Sequence, residues 1–124
     1  MVLVDTSVWI DHLARGNRRL VELLNEGSVV CHPFVIGELS CGRLRNRQEI
    51  LSLLAALPQA RVAEHDELLR LIDRHRFYGR GLGWVDIHLL GAALLSSCTL
   101  WTLDKALDRG AIVLRIAADG DRPR

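Results

Sequence analysis

Long hydrophobic runs and paired cysteines are missing from this sequence of 124 residues. The nearly apolar stretch 87–95 is too short to span a membrane. Asp5 and Asp11 interrupt the N-terminal apolar residues that a signal peptide would need. The three cysteines are odd in number and form no CxxC pair, which favours reduced thiols over a disulfide framework. We therefore expect a cytoplasmic protein without a membrane segment.

The chain also lacks a clear excess of positive or negative charge, and it contains a single lysine. The 16 basic and 15 acidic residues nearly cancel, so the net charge of +1 argues neither for nor against a nucleic-acid partner. All basic residues except Lys105 are arginine, whose planar fork matches phosphate groups; a GC-rich genome would produce the same bias. The hydrophobic fraction of 49% predicts a globular domain with its own core.

Short apolar segments alternate with amphipathic ones along the chain. We predict strands at 2–4, 28–31, 60–63, 99–103 and 111–114. Helices are predicted from residue 7, and at 18–26, 33–42, 48–57, 64–78, 84–97 and 105–109. This alternation predicts an α/β fold: a three-layer α/β/α sandwich with a central, mainly parallel five-stranded sheet. One domain is expected at 1–116, followed by a polar tail at 117–124.

Four carboxylates stand in apolar surroundings, where acidic side chains are normally avoided. They are Asp5 after Val2-Leu3-Val4, Glu38 within an apolar helix, Asp86 before the stretch 87–95, and Asp104 after Leu103. Asp5 and Asp104 follow strands, and sites of parallel sheets form outside the carboxyl ends of strands. Glu38 and Asp86 lie on helices that could reach the same edge. We therefore predict that the four acids form one site.

Each acid also has a structural interpretation. Asp5 and Asp104 could cap the helices that follow them, and Asp86 could favour a helix N-terminus through the helix dipole. Glu38, in the middle of a helix, has no capping role, and its structural alternative is a buried pair with an arginine. Asp108, one helical turn after Asp104, could join the site, although a solvated face is the simpler interpretation.

The four acids suggest a common role, the binding of a divalent metal ion. Mg²⁺ and Mn²⁺ prefer oxygen ligands and keep several waters. A bound metal lowers the pKa of a coordinated water and stabilises charge on a phosphate oxygen. No serine, cysteine or histidine nucleophile is then required. Without metal, the clustered carboxylates would repel one another and some would bind protons.

The opening Met1-Val-Leu-Val-Asp5-Thr6-Ser7-Val8-Trp9-Ile10 resembles that of PIN-domain proteins, and most closely the VapC toxins of bacterial toxin–antitoxin pairs. Glu38 in Val-Ile-Gly-Glu-Leu, Asp86 before the apolar helix and Asp104 in Trp-Thr-Leu-Asp follow in the family's order. The resemblance covers residues 2–114. It implies a Mg²⁺- or Mn²⁺-dependent ribonuclease whose metal ligands are the four acids. The hydroxyls of Thr6, Ser7 and Thr102 match positions that support this site.

The resemblance also implies partners. Family members cleave structured or translation-related RNA, often transfer or ribosomal RNA. A cognate antitoxin of the VapB type inhibits them by inserting a segment near the acidic pocket, and they tend to form homodimers. None of these partners follows from composition or spacing.

Other residues carry weaker signals. Arg43, Arg45 and Arg47 could contact phosphates or form a solvated turn. Arg80 lies in the glycine-rich loop 79–83, which lacks dinucleotide-binding spacing and is interpreted as a flexible loop near substrate. The five histidines show no metal-ligand spacing, and the three tryptophans are expected in the core.

Three other functions remain open at this point. An aspartyl phosphatase normally carries a second acid two residues after the first, where this chain has Ser7. A receiver-like signalling module needs paired acids after the first strand, whereas Asp5 stands alone. The third alternative is a non-catalytic module whose acids hold a structural ion, and no sequence feature argues against it.

Overall fold

The computed structural model describes residues 1–119, which form an α/β domain of seven helices and a three-stranded parallel sheet. The strands are β1 (Val2–Val4), β2 (Val29–Val30) and β3 (Thr99–Trp101), in the order β2-β1-β3. The helices are α1 (Thr6–Arg15), α2 (Arg18–Asn25), α3 (Pro33–Ser40), α4 (Arg47–Ala56), α5 (His65–His75), α6 (Trp84–Leu95) and α7 (Lys105–Val113).

Strand β1 lies at the centre of the sheet. Leu3 pairs with Val30 of β2 on one side and with Leu100 of β3 on the other. Leu3 and Val4 point to opposite faces, and both are fully buried. Burial on both faces explains why β1 is a continuous apolar run instead of an alternating one.

The predicted number of five strands is wrong for the described residues. The segment expected at 60–63 is not a strand; Gln59, just before it, makes a single parallel bridge with Cys31. At the other edge, Ala117 makes a single parallel bridge with Leu100. Both edges are therefore extended by isolated bridges, and the regular sheet has three strands.

The strand expected at 111–114 is helical instead. Helix α7 continues through Val113 because Leu107, Gly110 and Ala111 recur at helical spacing and are buried. Ile112 and Val113, whose branched side chains suggested a strand, are exposed. Tertiary packing of the helix face thus overrides the local strand preference.

Helix α6 is central, as its apolar sequence predicts. Its seven residues from Ile87 to Ala93 are all buried. A Cβ placed on Gly91 would overlap Leu68 Cδ2 of α5, and one on Gly110 of α7 would lie 3.1 Å from Leu90 Cδ1. These glycines let α5 and α7 pack closely against α6.

None of the helices within residues 1–119 is long and apolar enough to cross a membrane. The three cysteines are free thiols, of which Cys31 and Cys98 are buried. Residues 120–124 of the predicted polar tail lie outside the described residues, and Ala118 before them is buried, with its N–H donating to the Leu100 carbonyl at 2.9 Å.

Candidate active site

Asp5 lies immediately after β1 and is buried, with 7% of its surface exposed. Its N–H donates to the Trp101 carbonyl at 2.9 Å, so the parallel pairing of β1 with β3 continues to this residue. The pairing brings Thr102 beside Asp5. The Oδ2 atom of Asp5 accepts hydrogen bonds of 2.7 Å from both Ser7 Oγ and Thr102 Oγ1.

The two hydroxyls connect Asp5 to the backbone that leads to Asp104. Ser7 Oγ accepts from the Leu103 N–H at 2.9 Å, and Thr102 Oγ1 accepts from the Asp104 N–H at 3.0 Å. Each hydroxyl has one hydrogen, which it donates to Asp5. Ser7 and Thr102 therefore hold Asp5 as an acceptor and fix the turn that precedes α7.

Glu38 reaches the site from α3. Its Oε1 atom accepts a hydrogen bond of 2.7 Å from Thr6 Oγ1 at the start of α1. Glu38 is exposed, and no arginine forms an ion pair with it among residues 1–119. The alternative of a buried arginine pair is therefore wrong.

Asp86 lies in the first turn of α6 and is half-buried. Its Oδ2 accepts the Gly83 N–H at 2.9 Å, a contact that the sequence prediction missed although the three-residue spacing at a helix start indicates it. Burial raises the pKa of the Asp86 carboxyl above its ordinary value, and the Gly83 hydrogen bond opposes this rise. The charges of three other carboxylates raise this pKa further: Asp5, Asp104 and Glu38. Asp86 is thus within electrostatic reach of the other three acids.

Asp104 is exposed and caps α7, since its Oδ2 accepts the Leu107 N–H at 2.8 Å. Asp5 also caps α1 through a 3.4 Å contact from the Ser7 N–H. The structural interpretation therefore holds for these two acids, in addition to their place beside the other carboxylates. Asp108 is half-buried and lines a cavity of about 220 Å³ together with Asp104 and Lys105.

The sequence predicts apolar surroundings for all four acids, but in the structure Asp5 alone among them is buried. Glu38 and Asp104 extend from their apolar sequence neighbours into solvent. Within residues 1–119, no three His, Cys, Asp or Glu side chains are gathered closely enough to hold a metal ion. The acids share one edge of the sheet but do not form a closed cage.

The predicted arginine contacts separate into two regions. Arg43 and Arg45 line a groove of about 620 Å³ that also contains Glu38, Ile10 and Leu13. Arg47 donates to the Ser40 carbonyl at 2.8 Å and so joins the ends of α3 and α4. Arg80 lies in a different groove, between the loop 79–83 and α7.

The histidines do not join the acids. His32 and His88 are buried with ring centroids 6.3 Å apart, and their Nε2 and Nδ1 atoms, respectively, have no hydrogen-bond partner within the described part of the chain. Trp9 and Trp101 are buried as expected, whereas Trp84 is 40% exposed.

Comparison with known proteins identifies the fold. The family described as PIN domain matches residues 2–113. The chain belongs to the PIN-domain family. It is similar to Ribonuclease VapC32 of two Mycobacterium tuberculosis strains, CDC 1551 / Oshkosh and ATCC 25618 / H37Rv, with 55% identity over 108 residues, 86% of this chain and 87% of each relative.

A solved structure has the same fold. The PIN-family chain superimposes on the crystal structure of PAE2754 from Pyrobaculum aerophilum with a TM-score of 0.59 and 18% identity, covering 93% of this chain and 88% of that one. The predicted resemblance is confirmed, and it favours a PIN-like function over the phosphatase-like and receiver-like alternatives.

Proposed function

We propose that this chain is a metal-dependent endoribonuclease that acts as the toxin of a toxin–antitoxin pair. The observation that carries the proposal is the hydrogen-bond network through Ser7 and Thr102, which joins Asp5 to the turn that ends at Asp104. The charges of Asp5, Asp104 and Glu38 also reach Asp86. The similarity to a protein named a ribonuclease, at 55% identity, supports the same activity.

The carboxylates suit Mg²⁺ or Mn²⁺ in their chemistry. In each of them, one oxygen accepts a hydrogen bond from the protein while the other accepts none from residues 1–119. No lysine or arginine within that range forms an ion pair with any of the four. The open oxygens are hard, anionic ligands of the type that these cations prefer. We propose as ligands Asp5, Glu38, Asp86 and Asp104.

A metal bound there would lower the pKa of a coordinated water and stabilise charge on the scissile phosphate. The chain's own contribution is orientation. Ser7 and Thr102 hold one oxygen of Asp5 and leave the other without a hydrogen bond from residues 1–119, and Thr6 does the same for Glu38. The Gly83 N–H orients Asp86 in a similar way. These contacts orient the individual carboxylates before any substrate binds.

The substrate that we propose is RNA, with transfer or ribosomal RNA as the preferred class. A cognate antitoxin of the VapB type would occupy the groove beside Glu38. Exposed Ile10 and Leu13 offer apolar contacts there, and Arg43 and Arg45 offer charge. A homodimer is the proposed assembly, and the cytoplasm is the proposed location.

Substitution of Asp5 by Asn tests the activity. The variant retains an oxygen that accepts from Ser7 and Thr102, but it presents a neutral amide instead of an anionic ligand. We expect cleavage of bulk transfer RNA with Mg²⁺ or Mn²⁺ to fall by a factor on the order of 100 or more, with no loss of folding in circular dichroism.

A matched control is Asp66→Asn, the same chemical change at an exposed position in the first turn of α5. It should cleave as well as the unchanged protein. Full cleavage by Asp5→Asn protein, purified from a nuclease-free host, would contradict the proposal. If no RNA is cleaved with either metal although both ions raise the thermal unfolding midpoint, the acids hold a structural ion in a non-catalytic module.

A further inference from the structure

Two adjoining grooves on the face formed by α5 and α7 are lined by arginines. The first, of about 280 Å³, contains Arg80 and Arg109. The second, of about 520 Å³, contains Arg70, Arg74 and Arg115. Val113 lines both grooves, which therefore adjoin at this residue. We call these five residues the arginine track.

The arginine track is positively charged along its length. All five side chains are exposed, and none forms an ion pair with a carboxylate among residues 1–119. Arg70 and Arg74 are four residues apart on α5 and therefore share a face. The lining includes one carboxylate, Glu67, which accepts the Glu64 N–H at 3.0 Å.

One groove of the track lies along α7, the helix that Asp104 caps. Asp104 is the N-cap of α7, and Arg109 follows on the second turn of that helix. Gly81, next to Arg80, packs against the first turn of α7, where a Cβ on Gly81 would lie 3.6 Å from Ala106 Cβ. From Lys105 to Val113 the helix rises about 12 Å at its usual pitch. The track thus runs along α7, whose N-terminus carries Asp104.

Arg115 has a backbone conformation that favours glycine. Its φ of 59° is in the left-handed region, and its N–H donates to the Ile112 carbonyl at 3.0 Å to close α7. Glycine is the usual residue at this position. Arg76 has the same backbone conformation, with a φ of 55°, so the two arginines differ in whether they line a groove.

We propose that the arginine track binds the phosphate backbone of the RNA substrate and guides the strand to the carboxylates. The proposal rests on the proposed ribonuclease function and adds a substrate-binding surface to it. Exposed, unpaired guanidinium groups match the charge and geometry of phosphates. The track is separate from the groove of Arg43 and Arg45 beside Glu38.

Two substitutions at matched backbone positions test this proposal. Arg115→Gly and Arg76→Gly each remove one charge and relieve a left-handed φ, of 59° and 55° respectively. Arg115 lines the track, whereas Arg76 lies outside both grooves. Neither change should lower the thermal unfolding midpoint, because glycine adopts this φ without strain. Arg109→Gln supplies a third variant at the end of the track nearest Asp104.

Binding of fluorescein-labelled bulk transfer RNA is measured by anisotropy in EDTA at several salt concentrations, with RNA integrity checked on gels. For Arg115→Gly and Arg109→Gln we expect affinity to fall roughly three- to tenfold at 0.1 M salt, and the slope of log K against log salt to fall by about one. In cleavage assays KM should rise while kcat stays unchanged. Arg76→Gly should match the unchanged protein throughout.

The failures are distinguishable. If the unchanged protein neither binds nor cleaves RNA, both this proposal and the proposed function are wrong. If it cleaves RNA while Arg115→Gly and Arg109→Gln behave like Arg76→Gly, the track alone is overturned. If those two variants change only the molecular mass in light scattering, the face contacts a second copy of the chain and the RNA proposal is again overturned.

Discussion

Thr102 Oγ1 donates a hydrogen bond of 2.7 Å to Asp5 Oδ2 across 97 residues of sequence. The contact exists because β1 and β3 run parallel and end together, so the residues just after both strands face each other. The same hydroxyl accepts the Asp104 N–H at 3.0 Å. One threonine therefore connects two of the four acids.

Replacement of Thr102 by valine should weaken both the fold and the activity. The change leaves the buried Asp5 without one donor and the Asp104 N–H without its acceptor, which should lower the free energy of unfolding by about 1–3 kcal/mol. RNA cleavage should also fall, because Asp5 loses its orientation. Urea denaturation and cleavage rates measure the two effects. Thr102→Ser should restore both. Thr99→Val, an exposed change at the start of the strand that precedes Thr102, should have little effect. Equal behaviour of the two valine variants would refute this role.

Substitution of Asp86 by Asn should stabilise the metal-free protein. Burial and three neighbouring carboxylates disfavour the charged form of Asp86, as its raised pKa indicates. The neutral amide removes this repulsion and can still accept the Gly83 N–H. We expect the free energy of unfolding in EDTA to rise by up to about 1 kcal/mol, while the stabilisation by Mn²⁺ and the RNA cleavage are both lost. A less stable variant in EDTA would contradict this expectation.

Stability should decrease below neutral pH because of His32. Burial, and then the nearby His88, lower the pKa of His32 to about 4 from the ordinary 6.5. Between these values the unfolded chain binds a proton that the folded protein does not, so the free energy of unfolding falls as pH falls from 6.5 to 4. The loss attributable to this group is at most about 3 kcal/mol.

The matched variant for this pH effect is His32→Asn. Asparagine can accept the Phe34 N–H that His32 Nδ1 accepts at 2.9 Å, so α3 keeps its cap. Urea denaturation at pH 7.5, 6 and 5 should give a flatter pH dependence for this variant than for the unchanged protein. Parallel curves for the two proteins would exclude His32 as the cause.

Two glycine substitutions should have opposite effects on stability. In Gly91→Ala the added Cβ overlaps Leu68 Cδ2, so α5 and α6 must separate, at a cost of about 1–3 kcal/mol. In Gly37→Ala, also within a helix, the Cβ meets no atom within 4 Å, and stability should rise by about 0.5–1 kcal/mol. Thermal unfolding of both variants measures the contrast, and a destabilised Gly37→Ala together with a neutral Gly91→Ala would reverse it.

Most helices and the central strands could be predicted locally. Asn17, Pro33 and Asp104 mark helix starts through their own side-chain chemistry, and the apolar stretch 87–95 identified the central helix. The segment 111–113 could not be predicted in the same way. Its branched residues favour a strand, and only the packing of Gly110 and Ala111 against the core makes it helical.

The sequence by itself determined which chemistry is present. It contains four acids in the order of the PIN family, and its basic residues are arginines with the exception of one lysine. Tertiary structure decided how they are used. Parallel pairing placed Thr102 on Asp5, and helix packing put Thr6 on Glu38. Glu38 and Asp104 are exposed in the tertiary structure, although their apolar sequence neighbours suggested burial. Neighbours along a chain do not reveal which face a side chain occupies. The arginines of α5 and α7 line adjoining grooves for the same reason: they are distant in sequence and come near one another only in the fold.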